Sequence, residues 1–230
     1  QARLLSLNEA IAVLKDGRFV LVYDGKGREN EVDMVVAAQH IMPEHIAEMR
    51  KDAGGLICLA IASEVASKLG LAYMHDMIAS FGKVNPIFSK LTEGKAAYGD
   101  KPSFSISINH RETYTGVTDY DRALTISKMA LVCKNIDSGG VEEFAKSFRA
   151  PGHVPLLIAS KRLLQDRMGH TELCVYLARL ADLTQAIVMC EMMDATTHRA
   201  LTLEAARQYA GRYGIPLVDS GELKAHAKVA

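Results

Sequence analysis

Apolar residues recur along the chain in two periods, and the switches between them mark out the elements. Leu7, Ile11 and Leu14 fall on one helical face behind a Ser6/Glu9 spacing suited to a capping box, and Gly17 ends that segment. Phe19 to Tyr23 reads as a strand, Asp24 to Asn30 as a polar loop, and Met34 to Ala37 as a second strand. Pro43 opens a helix that Gly54-Gly55 stops; Leu56 to Ile61 reads as a buried strand and Ser63-Glu64 as the start of a short helix. Phe104-Ser105-Ile106-Ser107-Ile108 alternates with period two, a strand with one face on a core. Asp121 is placed as the N-cap of a helix from Arg122 to Leu131, and Thr171 as the cap of one in which Leu173, Leu177 and Leu180 share a face. Val154 to Ala159 and Gln185 to Cys190 read as strands, and Thr202 to Arg212 as a helix ended by Gly214. Ile78 to Asp100 shows no period. Irregular interleaving without a separating linker predicts one domain over residues 1–230, α/β or α+β, around a mixed sheet.

Composition narrows the class. Hydrophobic residues make up 49% and charged residues 23%, enough to bury a core. Lys and Arg number 27, as do Asp and Glu, so no surplus of positive charge awaits a nucleic acid. The longest apolar run, Leu56 to Ala62, is seven residues, far below the ~20 that span a bilayer. Gln1 to Leu7 has no charged-then-apolar leader pattern, which points to the cytoplasm. Cys58, Cys133, Cys174 and Cys190 form no C-x-x-C pair and read as buried thiols.

Three places break the pattern of ordinary core and surface. In Gly27-Arg28-Glu29-Asn30-Glu31-Val32-Asp33 the three carboxylates are spaced by two, so an extended backbone would project them from one face. Their mutual repulsion calls for a proton or a hard cation such as Mg²⁺ or Mn²⁺; an ordinary solvated acidic loop has the same pattern. His153, held between Gly152 and Val154-Pro155 beside a strand, is placed for acid/base work, or is an incidental loop histidine. Arg167-Met168-Gly169-His170-Thr171-Glu172 stands at a helix start, where free amides, a fixed guanidinium and the Thr171 hydroxyl favour an anion. His170 could instead ligate a metal. Glu191 finishes an apolar strand and is partly desolvated there, which suits proton transfer.

These motifs together resemble the 3,4-dihydroxy-2-butanone 4-phosphate synthase family. The resemblance runs from about Leu4 to Ser220. It rests on Arg28 to Asp33, Phe104 to Arg111, Thr115-Gly116 with Asp121-Arg122, Pro151 to Val154, Arg167 to Glu172 and Cys190-Glu191. Asn30 and Val32 stand where many members carry an acidic residue and Gly, a difference that touches loop shape only. The resemblance implies a three-layer α+β sandwich, a mixed twisted sheet with helices on both faces, in a homodimer whose subunits share their active sites. It implies conversion of ribulose 5-phosphate to 3,4-dihydroxy-2-butanone 4-phosphate and formate with Mg²⁺, and a single activity without a fused GTP cyclohydrolase II domain. By matching motif, Glu29 and His170 hold the metal. Arg28, Glu29, Asp33, Arg167, Gly169, His170, Thr171 and Glu191 bind substrate, and His153, Glu191 and, less centrally, Glu31 handle protons.

The chemistry agrees with that assignment. Ribulose 5-phosphate has a ketone beside a hydroxyl, a pair one cation can chelate, and its protons leave and arrive at several carbons that no single group reaches. Its phosphate serves orientation. Two rivals stand beside this reading. A similarly folded family that makes a carbamoyl-adenylate for tRNA modification needs a basic adenylate site where this chain is acidic. A catalytically silent homodimer would have no need of Glu29, His153, His170 and Glu191.

Overall fold

The computed structural model describes residues 6–229; Leu4, where the resemblance begins, and most of the Gln1 to Leu7 stretch lie outside them. Helix α1 (Leu7–Lys15) starts as its spacing predicts. The Ser6 hydroxyl accepts the Glu9 amide at 3.4 Å, and the Glu9 carboxylate accepts the Ser6 amide at 2.7 Å. Strands β1 (Val20–Tyr23) and β2 (Val32–Ala37) follow as an antiparallel pair. The helix opened by Pro43 is only α2 (Pro43–Glu48); a wider turn over Met49–Ala53 carries the chain to Gly54, left-handed at φ 87°. Then come β3 (Cys58–Ile61) and α3 (Ser63–Lys68). The aperiodic stretch holds two short helices, α4 (Met74–Phe81) and α5 (Pro86–Leu91), neither with a fully buried residue, which is why no apolar stripe marks it.

Two predicted caps are corrected. After β4 (Phe104–His110), α6 (Asp119–Lys134) is capped by Thr118, whose hydroxyl accepts the Asp121 amide at 3.0 Å. Asp121 lies inside the first turn, and its carboxylate accepts the Gly116 amide at 2.8 Å instead. Helix α7 (Val141–Ser147) leads to β5 (Phe148–Ile158), which begins six residues before the predicted Val154 because its first half is mostly exposed and carries no apolar alternation. Helix α8 (His170–Leu180) starts after Gly169, with no side-chain cap; Thr171 is within the helix and buried. Strand β6 (Ala186–Glu191), a hairpin of β7 (Met193–Asp194) and β8 (Arg199–Ala200), α9 (Leu203–Tyr213), β9 (Leu217–Asp219) and α10 (Ser220–Val229) complete the chain.

Among the described residues, seven strands form one mixed sheet in the order β4-β5-β3-β6-β2-β1-β9. Every residue of β2 and all but the last of β6 are buried, which requires cover on both faces of the sheet. Helix α8 packs across β1, β2, β3 and β6 with α1 and α10 against it, while α6 packs on β4, β5 and β6 with α2 behind it. The result is the expected α+β three-layer arrangement. All four cysteines are buried in it.

Register brings polar residues to one end of this sheet. Asp33 lies opposite Glu191, and Leu59 is aligned with both Leu156 and Val188. Stepping three residues from that row (59 − 56, 156 − 153, 191 − 188) brings Leu56, His153 and Glu191 to the same level. Gly55 is fixed here by space. A Cβ at this position would stand 2.5 Å from both the carbonyl and a carboxylate oxygen of Glu191. We expect Gly55→Ala to displace that strand end and destabilise the fold by roughly 1–3 kcal/mol, measured by urea denaturation.

Candidate active site

The loop after β1 is organised from beneath by one carboxylate. Asp24, itself buried, accepts the amide of Glu29 at 2.8 Å and that of Glu31 at 3.1 Å. Gly25 at φ 98° and Asn30 at φ 59° let the chain fold back on it, and the Tyr23 hydroxyl donates to Asn30 at 2.7 Å. The positive φ at Asn30 breaks the extended path that would have put Glu29, Glu31 and Asp33 on one face; only Asp33 belongs to the strand. Glu29 and Asp33 still converge, joined by Asp24, around His170 at the start of α8. His170 Nδ1 is 3.3 Å from Glu29 Oε2 and 3.9 Å from Asp24 Oδ2, and Nε2 is 3.5 Å from Asp33 Oδ1.

The electrostatics follow from burial and crowding. Burial opposes protonation of His170, but Asp33, Glu29 and Asp24 outweigh it and hold its pKa up to about 10. Burial, reinforced by Glu191, Glu29 and Glu31, raises Asp33 to about 7 although His170 pulls the other way. The hydrogen bond to His170 lowers Glu29; burial, then Glu29 and Glu191, raises Glu31. Asp33 Oδ1 and His170 Nε2 are buried without a hydrogen-bond partner. Ligand atoms of Asp24, Glu29 and His170 lie within 4.8 Å of one another, a donor set of two carboxylates and an imidazole that fits a divalent cation.

Beside this cluster lies an anion anchor. Arg28 and Arg167 meet next to Gly169, where a Cβ would come within 3.0 Å of Arg28 Nη2, so any side chain would crowd the guanidinium. Arg167 donates to the Ser103 hydroxyl and sits 3.8 Å from Glu172, a buried carboxylate that accepts the Ser160 amide at 2.9 Å. Arg28 lies over the Tyr98 ring, 5.2 Å from its centroid, and pairs with Asp100. Thr171 is in the uncapped first turn of α8, whose amides are available to an anion.

Glu191 and His153 complete the candidate set at different distances from this centre. Glu191, opposite Asp33, accepts the Leu56 amide at 2.7 Å. His153 stands apart, exposed on β5 near the edge of the sheet. Asn109 fixes it twice: Oδ1 accepts its backbone amide at 2.7 Å, which turns Nδ2 toward the ring Nδ1 at 3.3 Å. With Nδ1 accepting, the neutral ring carries its proton on Nε2.

Sequence reasoning missed Asp24, Tyr98, Asp100, Ser103 and Asn109. Asp24 had a usable signal, since it ends an apolar strand as Glu191 does. Asn109 lies in a motif whose period spoke only for a strand, and Tyr98 and Asp100 lie in the stretch without one.

A mixed-sheet α+β scaffold holding a carboxylate–imidazole pocket beside a two-arginine anchor defines an enzyme class that works on small phosphorylated molecules. The 3,4-dihydroxy-2-butanone 4-phosphate synthase family model matches residues 8–226. Proteins of that name from Archaeoglobus fulgidus and Methanothermobacter thermautotrophicus are 42% identical over 224 residues and 43% identical over 220, covering 97% and 96% of this chain and 94% and 95% of their own. A solved synthase described as in complex with two magnesium ions superposes with a TM-score of 0.79 at 26% identity, covering 98% of both chains. This chain belongs to the 3,4-dihydroxy-2-butanone 4-phosphate synthase family, enzymes of riboflavin biosynthesis.

The raised groups set a pH dependence. Folded His170 and Asp33 hold protons more tightly than their ordinary values of 6.5 and 3.8 allow. Their contribution is therefore greatest at low pH, is lost for Asp33 as pH rises toward about 7, and for His170 as it rises toward about 10. We expect the Tm of metal-free protein to fall between pH 7 and 10, and added Mg²⁺ to raise it more at pH 9 than at pH 6, because the cation replaces the protons. Differential scanning calorimetry at both pH values checks this.

Proposed function

We propose that this chain, as one domain over residues 1–230, converts ribulose 5-phosphate to 3,4-dihydroxy-2-butanone 4-phosphate and formate. The observation that carries the reading is the junction of Arg28 and Glu29: adjacent residues, one facing the anion anchor and the other 3.3 Å from His170, which is 141 positions away. A phosphate and a divalent cation bound at these two places are held at a fixed separation, as a phosphorylated ketose requires.

A divalent cation, Mg²⁺ or in its place Mn²⁺, held by Glu29 and His170 with Asp24 beside them, would act as a Lewis acid toward the ketone and its neighbouring hydroxyl. Arg28, Arg167, Gly169 and Thr171 bind the phosphate and thereby orient the sugar. Glu31 and Glu191 lie on the same side and accept or return protons as C1 is enolised, water is lost, the skeleton rearranges and C4 departs as formate. Asp33, with its raised pKa, exchanges a proton with a sugar hydroxyl near neutral pH.

His153 does this work across a homodimer interface. It is exposed in the protomer, and so are Tyr114, Val117 and Tyr120 on the segment that follows its partner Asn109. A second copy covering that face would carry His153 into the neighbouring site, so the sites are shared between subunits. The enzyme acts in the cytoplasm on a small molecule, without nucleic-acid or membrane partners. Its charge is balanced, and no helix among the described residues is long and apolar enough to cross a membrane.

Incubation with ribulose 5-phosphate and Mg²⁺ is expected to release formate; none with either Mg²⁺ or Mn²⁺ would refute the activity. Glu29→Gln should raise the Mg²⁺ needed for half-maximal rate by at least about tenfold, read from metal titrations. His153→Ser should lower kcat by roughly 10²–10⁴-fold with KM little changed. At a Mg²⁺ concentration too low to support Glu29→Gln, mixing the two variants should regain activity through hybrid dimers with one intact site; a mixture as inactive as its components would place His153 and Glu29 in the same subunit's site.

A further inference from the structure

The anchor already holds a carboxylate of its own. Asp100, at the end of the aperiodic stretch, pairs with Arg28 Nη1 and lies 3.3 Å from Arg167 Nε. Arg28 first, with Arg167 and Lys95 adding to it, holds its carboxyl below the usual range, so it is ionised there. It is a partial match. Arg28 Nε and Nη2 and Arg167 Nε remain buried without a hydrogen-bond partner. A planar carboxylate offers two oxygens; a tetrahedral phosphate monoester offers three terminal oxygens and up to two negative charges.

Resting on the reading of Arg28 and Arg167 as the phosphate anchor, we propose that Asp100 is a built-in competitor that occupies the anchor until a phosphate displaces it and so sets how tightly the anchor binds. A ligand with one negative charge merely exchanges for the charge that leaves. A dianion gains one unit of attraction and satisfies guanidinium N–H groups that Asp100 leaves unmet. The two arginines themselves therefore favour phosphate monoesters over diesters and carboxylates, while the need to displace Asp100 lowers the affinity of every such ligand by one common factor.

The surroundings permit the exchange. Gly99 precedes Asp100 with φ 92° and open space where a Cβ would stand, so the chain can turn there. A cavity of about 360 Å³ beside Asp100 and Arg167 is lined by His75, Asp76, Lys95 and Lys101, which gives the displaced carboxylate room and Lys95 to face, Lys101 lying 4.0 Å from Asp76. Glu172 cannot take the same role: the Ser160 amide fixes its Oε1, and its Oε2 stays 3.8 Å from Arg167 Nε without a hydrogen bond.

Asp100→Asn keeps the shape and removes the charge. By calorimetry at pH 8, inorganic phosphate should bind this variant about five- to tenfold more tightly than the unaltered protein. Dimethyl phosphate, a monoanion of the same shape, should gain by the same factor, because the cost of displacing Asp100 does not depend on which ligand displaces it. Phosphate affinity unchanged or weakened in Asp100→Asn, while Arg167→Met loses it, overturns the role of Asp100 and leaves the anchor intact. Phosphate binding indifferent to Arg167→Met overturns the anchor and this inference together.

Discussion

Everything about this site depends on the burial of one imidazole among carboxylates. His170 is packed at the head of α8 against the central strands, where an isolated charge would be costly, and Asp33, Glu29 and Asp24 surround it. Such a group is stable only when its charges are matched by a proton or a cation. The requirement explains the surrounding construction: Asp24 spends its oxygens on the amides of Glu29 and Glu31, so the loop is locked over the histidine. The same loop turns Arg28 to the other side. One local fold thus ties the carboxylates around His170 to the guanidinium beside Arg167, so the proposed cation and phosphate positions cannot shift independently.

The mixed sheet makes this convergence possible. An antiparallel pairing between β2 and β6 sets Asp33 opposite Glu191, and the parallel pairing of β3 with β5 brings His153 to the same end of the sheet. Sites at the ends of adjacent strands gain rigidity from the ladder while their side chains stay free of it. His153 shows the limit of that arrangement. Its level is right, but it lies strands away and points into solvent within the protomer, held in place by Asn109. A residue so carefully oriented on an exposed surface makes physical sense when another chain covers that surface.

The equality of 27 basic and 27 acidic residues conceals opposed local fields. Negative charge is concentrated around His170 and positive charge around Arg28 and Arg167, with Asp100 as a built-in counterion between the arginines. Balanced net charge offers a polyanion no surplus of positive charge; the distribution is what the proposed substrate, with its charged end and its chelating end, would meet.

Periodicity alone determined most elements, because burying one face of a helix or strand leaves a 3.6- or 2-residue trace in the chain. Strands at Val20–Tyr23 and Ala186–Glu191 and the capping box at Ser6 and Glu9 were legible in this way. Motif spacing also singled out Glu29, Asp33, Arg167, Gly169, His170 and Glu191 as candidates, and the fold brings Glu29 and Asp33 to His170 and sets Glu191 opposite Asp33. The caps at Thr118 and Gly169 were not legible: competing acceptors lie within three residues, and local geometry selects between them. Nor were Tyr98 and Asp100, for a different reason. Each acts through a partner brought near by tertiary folding, Tyr98 beneath Arg28 and Asp100 on arginines 72 and 67 positions away (100 − 28, 167 − 100). Hydrophobic burial writes itself into sequence as a pattern, whereas a charge–charge contact between distant loops leaves none until the chain has closed.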